Sequence, residues 1–75
     1  MRTQRKRSLS IAGHRTSVSL EEPFWTGLRE IAAERNLPLT ALIAEIDLAR
    51  AEDNLSSALR LHVLAHYRAM AGRSA

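Results

Sequence analysis

The six residues Arg15-Thr16-Ser17-Val18-Ser19-Leu20 constrain this chain more than any others. They alternate polar and apolar in the manner of a half-buried β-strand, whereas the sequence after them has helical spacing. A single strand in an otherwise helical chain leaves its backbone N–H and C=O groups unpaired. A second copy of the molecule supplies the partner if two such strands pair antiparallel about a two-fold axis. That pairing buries Val18 and Leu20 and turns Arg15, Ser17 and Ser19 to the outer face of a two-stranded ribbon.

Size points the same way. A chain of 75 residues has a small core, and without cysteine it has no disulfide or thiolate metal site to staple it. Dimerisation is the remaining source of buried area, and the 45% apolar content can supply it. The uncharged stretch Leu37–Ala44 is far too short to span a bilayer. The apolar residues behind the basic N-terminus, about Leu9 to Ala12, are too few for a signal-peptide core, so a cytoplasmic protein is expected.

The net charge of +3 conceals an asymmetry. Arg2, Arg5, Lys6, Arg7 and Arg15 give +5 in the first fifteen residues, with no acid among them. From Thr16 onward six arginines face eight acids, a balance of −2. The basic character therefore belongs to the N-terminal arm and the start of the strand. A two-stranded ribbon fits the DNA major groove, and positive charge clustered beside it is the electrostatic footprint of DNA binding.

Residues 1–13 read as a flexible basic arm, with charge and serine early and Gly13 late. Ser8-Leu9-Ser10-Ile11 also alternates, but its apolar residues are odd-numbered and those of the strand even, so one continuous strand would place them on opposite faces. Gly13 can break that register or turn the chain into a hairpin; a mobile arm is the preferred reading. A first helix is expected from Glu22-Pro23, since proline suits the first helical position and acids suit that end. Phe24, Leu28, Ile31 and Ala32 form its buried stripe, with Trp25 at the edge packing against a dimer partner. Gly27 within it costs about 1 kcal/mol relative to alanine, which implies close backbone packing. Asn36 is a left-handed cap before Leu37-Pro38. A second helix runs from Leu39 to Ala51 with Leu39, Leu42, Ile43 and Ile46 inward. After an Asp53-Asn54 cap, a third runs from Leu55 to about Ala71. Leu55, Leu59, Val63 and Met70 mark one side of it, and Leu61 and Leu64 broaden its apolar arc, implying burial on more than one side. No internal repeat is evident.

The strand Arg15–Leu20, then Phe24-Trp25 and Leu28-Arg29-Glu30-Ile31-Ala32, the loop Arg35-Asn36-Leu37-Pro38 and the run Leu39–Ile46 together resemble the ribbon-helix-helix (Arc/MetJ-like) family of bacterial DNA-binding proteins. The likeness is greatest to short bacterial proteins described only as ribbon-helix-helix domain proteins. It implies a mainly α fold with one short β-strand: an intertwined homodimer over residues 14–53, plus an additional C-terminal helix and tail over 54–75. Its dimer core would be Val18, Leu20, Phe24, Trp25, Leu28, Ile31, Leu42, Ile43 and Ile46. Three alternating strand residues contact bases in this family, here Arg15, Ser17 and Ser19; arginine can grip guanine bidentately, and serine can serve several bases. The start of the second helix binds phosphate through backbone amides, here Leu39 and Thr40, while Pro38 departs from the usual hydroxyl-bearing cap. Arg2, Arg5, Lys6 and Arg7 would contact the DNA backbone. The third helix exceeds the minimal family fold, and such extensions bind a toxin, an effector or another dimer.

Other chemistry is poorly supported. His62 and His66 have metal-ligand spacing, but a pair supplies two ligands, and Glu45, Asp47 or Asp53 would have to be brought close. Packing or surface histidines are expected instead, with no metal or cofactor. Ser8, Ser10, Ser17, Ser19, Ser56 and Ser57 lie in arm, ribbon or cap contexts, and no glycine-rich phosphate loop is present, so catalysis is not expected. The expected function is a homodimeric transcriptional regulator that binds double-stranded DNA. The alternative is an interaction module or antitoxin whose C-terminal helix binds a partner protein.

Overall fold

Two strands, rather than one, precede the helices. The structure is a computed structural model that describes residues 4–11, 13–50 and 54–74. Strand β1 (Gln4–Ile11) pairs antiparallel with β2 (His14–Glu21), in a register that sets Ile11 opposite His14 and Gln4 opposite Glu21. A two-residue connection closes the hairpin, and Gly13 takes the left-handed backbone (φ +85°) that glycine adopts without steric cost.

This pairing corrects two expectations. Residues 4–11 form a strand where a flexible arm was expected, and the partner of β2 comes from the same chain rather than from a second copy. The reason lies in the odd and even positions. A reversal that sets Leu9 opposite Thr16 and Arg7 opposite Val18 brings the odd residues of β1 and the even residues of β2 to one face. Leu9 and Ile11 thus join Val18 and Leu20 over the helices, which a continuous strand would forbid.

Helix α1 (Glu22–Glu34) starts where expected, with Pro23 in its first turn. It ends with Asn36 at φ +58°. The Leu37 N–H donates to the Ala32 carbonyl at 2.9 Å and the Asn36 N–H to Ala33 at 3.2 Å, so the last carbonyls of the helix are satisfied by a Schellman motif. Helix α2 (Leu39–Ala49) is shorter than expected: Arg50 is already extended (φ −70°, ψ 142°). Helix α3 (Leu55–Ser74) is capped by Asn54, whose Oδ1 accepts from the Ser57 N–H at 2.8 Å. Asp53, the other expected cap residue, lies outside the described residues.

The hairpin lays one face on the helices, and α3 packs against α1, α2 and β2. Leu20, Trp25, Leu28, Leu42, Ile43 and Leu59 are fully buried, with Ile11, Val18, Ile31, Ala32, Ile46 and Val63 nearly so and Phe24 half-buried. The residues expected to form a dimer core are therefore the core of one protomer. Strand β1 and the Leu59–Val63 side of α3 provide the cover that a second copy was expected to supply. Trp25 in particular is not at an edge facing a partner; it is 0% exposed. Gly27 sets the α1–α3 approach, since a Cβ built there would lie 2.9 Å from Val63 Cγ1. The broad apolar arc of α3 is not buried all round: Leu61 and Leu64 remain exposed.

Candidate nucleic-acid interface

Directly opposed residues in an antiparallel pair project to the same side of the sheet. The register therefore gives the hairpin an outer face of Lys6 beside Ser19, Ser8 beside Ser17 and Ser10 beside Arg15, ending at the Gln4–Glu21 pair. Lys6, Ser8, Ser10, Arg15 and Ser17 are exposed and Ser19 is half-buried. Arg15, Ser17 and Ser19 thus share one polar surface, as the alternation of β2 implied. The β1 residues Ser8 and Ser10 beside them were not anticipated.

The basic residues expected to act together are divided between the two faces. Lys6 points outward with Arg15, while Arg5 and Arg7 belong to the face that meets the helices. The Arg7 guanidinium lies over the Trp25 ring, 5.1 Å from its centroid, and its Nε is buried without a hydrogen-bond partner. Arg5 Nε pairs with Glu22 Oε1 at 3.1 Å, and the Arg5 carbonyl accepts from Trp25 Nε1 at 2.9 Å. Arg2 lies outside the described residues.

The acid at the end of the outer face is neutralised. Glu21 accepts from Arg60 Nε at 3.0 Å and from Gln4 Nε2 at 3.2 Å. The Arg60 hydrogen bond first, then the Glu21 backbone amide and Gln4, hold its carboxyl down at about 2. Arg60 also stacks its guanidinium over Phe24 at 5.9 Å and borders, with Asn54 and Ser56, the cleft beside Ser17 and Ser19. No sequence pattern announces Arg60 here, because only the packing of α3 on β2 brings it to the strand. Ser56 Oγ reinforces that packing by donating to the Ser19 carbonyl at 3.4 Å.

The start of α2 is a separate feature. Pro38 is extended and provides no side-chain cap, so the leading amides of Leu39 and Thr40 have none of the usual capping oxygen. The Leu39 side chain packs against the core and Thr40 is exposed, leaving the Thr40 hydroxyl and the backbone as the polar groups at this end.

The two histidines of α3 stand in different settings. His62 is shifted below its ordinary value, chiefly by desolvation and then by Arg35 and His66. His66 Nε2 lies 3.3 Å from Glu34 Oε1. Among the described residues no group of three or more histidine, cysteine or acidic side chains could hold a metal ion.

Among the described residues no helix is long and apolar enough to cross a membrane. Comparison with protein families matches residues 4–67 to the ribbon-helix-helix domain, a span that takes in both strands, α1, α2 and α3 as far as Tyr67. No curated protein and no solved structure matches the chain. With the match covering most of the sequence, the chain belongs to the ribbon-helix-helix domain family, a family of DNA-binding regulators.

Proposed function

We propose that this protein is a sequence-specific DNA-binding regulator of transcription that presents the outer face of its hairpin to the major groove. The observation that supports this reading most directly is the composition of that face: short hydroxyl side chains between two cations, Lys6 and Arg15, with its one acid neutralised by Arg60. A two-stranded ribbon has the width for the major groove, arginine and lysine can donate to guanine O6 and N7, and serine can donate to or accept from several base edges. The Leu39 and Thr40 amides and the Thr40 hydroxyl would hold a phosphate. Such a role places the protein in the cytoplasm with the chromosome. The test is selection of fragmented genomic DNA by the purified protein at near-physiological salt. Recovery of a shared motif supports the reading; uniform recovery reduces it to non-specific binding, and no recovery overturns it.

A second reading rests on a different surface. Leu48 of α2 is 87% exposed, and Leu61 and Leu64 of α3 are 56% and 50% exposed. In this reading they seat a partner protein, or a second copy of the chain, since the family generally dimerises. Light scattering of the parent and of Leu61→Glu/Leu64→Glu tests self-association. A dimer that becomes a monomer in the variant supports the second copy, and a monomeric parent excludes it.

A further inference from the structure

Dimerisation is general in this family, yet the hairpin gives a second copy no favourable strand to join. Strand β2 is paired with β1 along one edge, and the Ser19 carbonyl of β2 already accepts from Ser56 of α3. The outer edge of β1 is left. That strand carries Arg5, Lys6 and Arg7 with no acid, so two copies paired there would crowd their cations together.

The face formed by α2 and α3 has the opposite character. Between these helices runs a groove of about 330 Å³ with an apolar lining of Ile46, Ala49, Ala58 and Leu61, completed by Glu45, Arg50 and His62. Glu45 pairs with Arg35 and Arg50 with Asp47, so acids and bases balance at the rim and the face does not repel its own copy. Leu48 stands beside this groove, about one helical turn after Glu45, and is the most exposed large apolar side chain among the described residues. It does not fill the groove next to it but projects into solvent. A projecting side chain and an unfilled recess on one patch suit a two-fold interface, in which each copy gives its knob to the other and receives one in return.

We propose that two copies of the chain associate through the α2–α3 face, with Leu48 of each seated in the groove of the other against Ile46, Ala58 and Leu61. This rests on the reading in which a second copy covers the exposed leucines, and it names the contact. Leu64, three residues after Leu61, borders the same face and closes its rim. The outer face of the hairpin lies on the far side of the sheet from the helices and stays free for DNA.

The test uses two variants that fail in different ways. Leu48→Lys removes the knob and keeps the groove. Ala49→Phe keeps the knob and plugs the groove from its wall, while adding apolar surface. Both positions are exposed, and circular dichroism checks that the fold is kept. In sedimentation equilibrium the parent is a dimer, and each variant alone associates at least about tenfold more weakly, the scale of losing an interface anchor. An equimolar mixture of the two recovers part of the dimer, because Leu48 of one variant still meets the open groove of the other. A mixture no more dimeric than its components overturns the proposal. So does tighter association of Ala49→Phe, which is the behaviour of a merely adhesive apolar surface. A dimer broken by Leu61→Glu/Leu64→Glu but untouched by Leu48→Lys and Ala49→Phe keeps the second-copy reading and overturns this seating. A dimer insensitive to all of them joins elsewhere, as at the β1 edge, and overturns both. A monomeric parent also overturns both and leaves the leucines to a different protein.

Discussion

The Trp25 indole N–H donates to the Arg5 carbonyl at 2.9 Å, and through this bond the first helix holds the first strand. The indole is completely buried, and the Arg7 guanidinium covers its ring from two residues further along β1, on the same inner face. Two of the basic residues at the N-terminus thus serve the fold, one through its backbone and one through its side chain.

Trp25→Phe removes the donor and leaves the Arg5 carbonyl without its partner. The expected loss is about 1–3 kcal/mol in urea unfolding, for the lost bond and the smaller ring. Removing residues 1–11 deletes Ile11 from the core and strips β2 of its backbone partner, so the truncated chain should lose its cooperative unfolding transition. A truncated chain that unfolds like the parent would show that β1 is dispensable.

Gly27 and Val63 meet where α1 crosses α3. Alanine at position 27 gains about 1 kcal/mol of helix propensity, but its Cβ would sit 2.9 Å from a branched side chain with little rotamer freedom. Overpacking of this kind costs about 1–3 kcal/mol, so Gly27→Ala should be neutral to destabilising despite the better helix former. Adding Val63→Ala should cost less in the Gly27→Ala background than in the parent, a coupling that a double-mutant cycle measures.

Asn36 holds the left-handed position that ends α1. Replacing it by glycine should leave stability unchanged or slightly raised. Replacement by alanine should cost about 1 kcal/mol, because the Cβ clashes in that conformation and asparagine tolerates it better. Thermal unfolding of the three proteins gives the order directly. Equal midpoints for alanine and glycine would show that the backbone relaxes out of the left-handed region.

The Glu21 carboxyl has its folded value depressed from 4.5 to about 2 by Arg60, the Glu21 backbone amide and Gln4. A depressed acid contributes stability in full above its unfolded value. That contribution declines as the pH falls from about 4.5 toward 2, as the folded state too becomes protonated. Arg60→Met should therefore be less stable than the parent at neutral pH, with the difference narrowing toward about pH 2. The Glu21–Arg60 pair is part-exposed, so added salt should also shrink the difference at neutral pH. A gap independent of both pH and salt would mean that Arg60 acts through its packing on Phe24 rather than through charge.

The helical part of this fold was legible along the chain because its signals are local. Pro23 at the start of α1, Asn36 after its end, the stripe of Leu28, Ile31 and Ala32, and the unusual Gly27 each report a backbone or packing requirement within a turn or two. The outward alternation of Arg15, Ser17 and Ser19 was legible for the same reason, as was membership of a family of DNA-binding regulators. What pairs with β2 was not local. Leu9 and Ile11 stand out of phase with Val18 and Leu20 until the chain reverses at Gly13, and only the pairing register places odd and even residues on one face. That same register separates Lys6 from Arg5 and Arg7, which composition alone treats as one basic arm. Arg60 reaches Glu21 across the molecule because α3 folds back along β2, a contact that no spacing in the sequence encodes. The sequence by itself determined which segments are helices, where α1 starts and stops, and which residues are apolar enough to be buried. The tertiary structure decided what buries them, because burial depends on the surface brought opposite, and here that surface comes from the chain's own first strand and last helix.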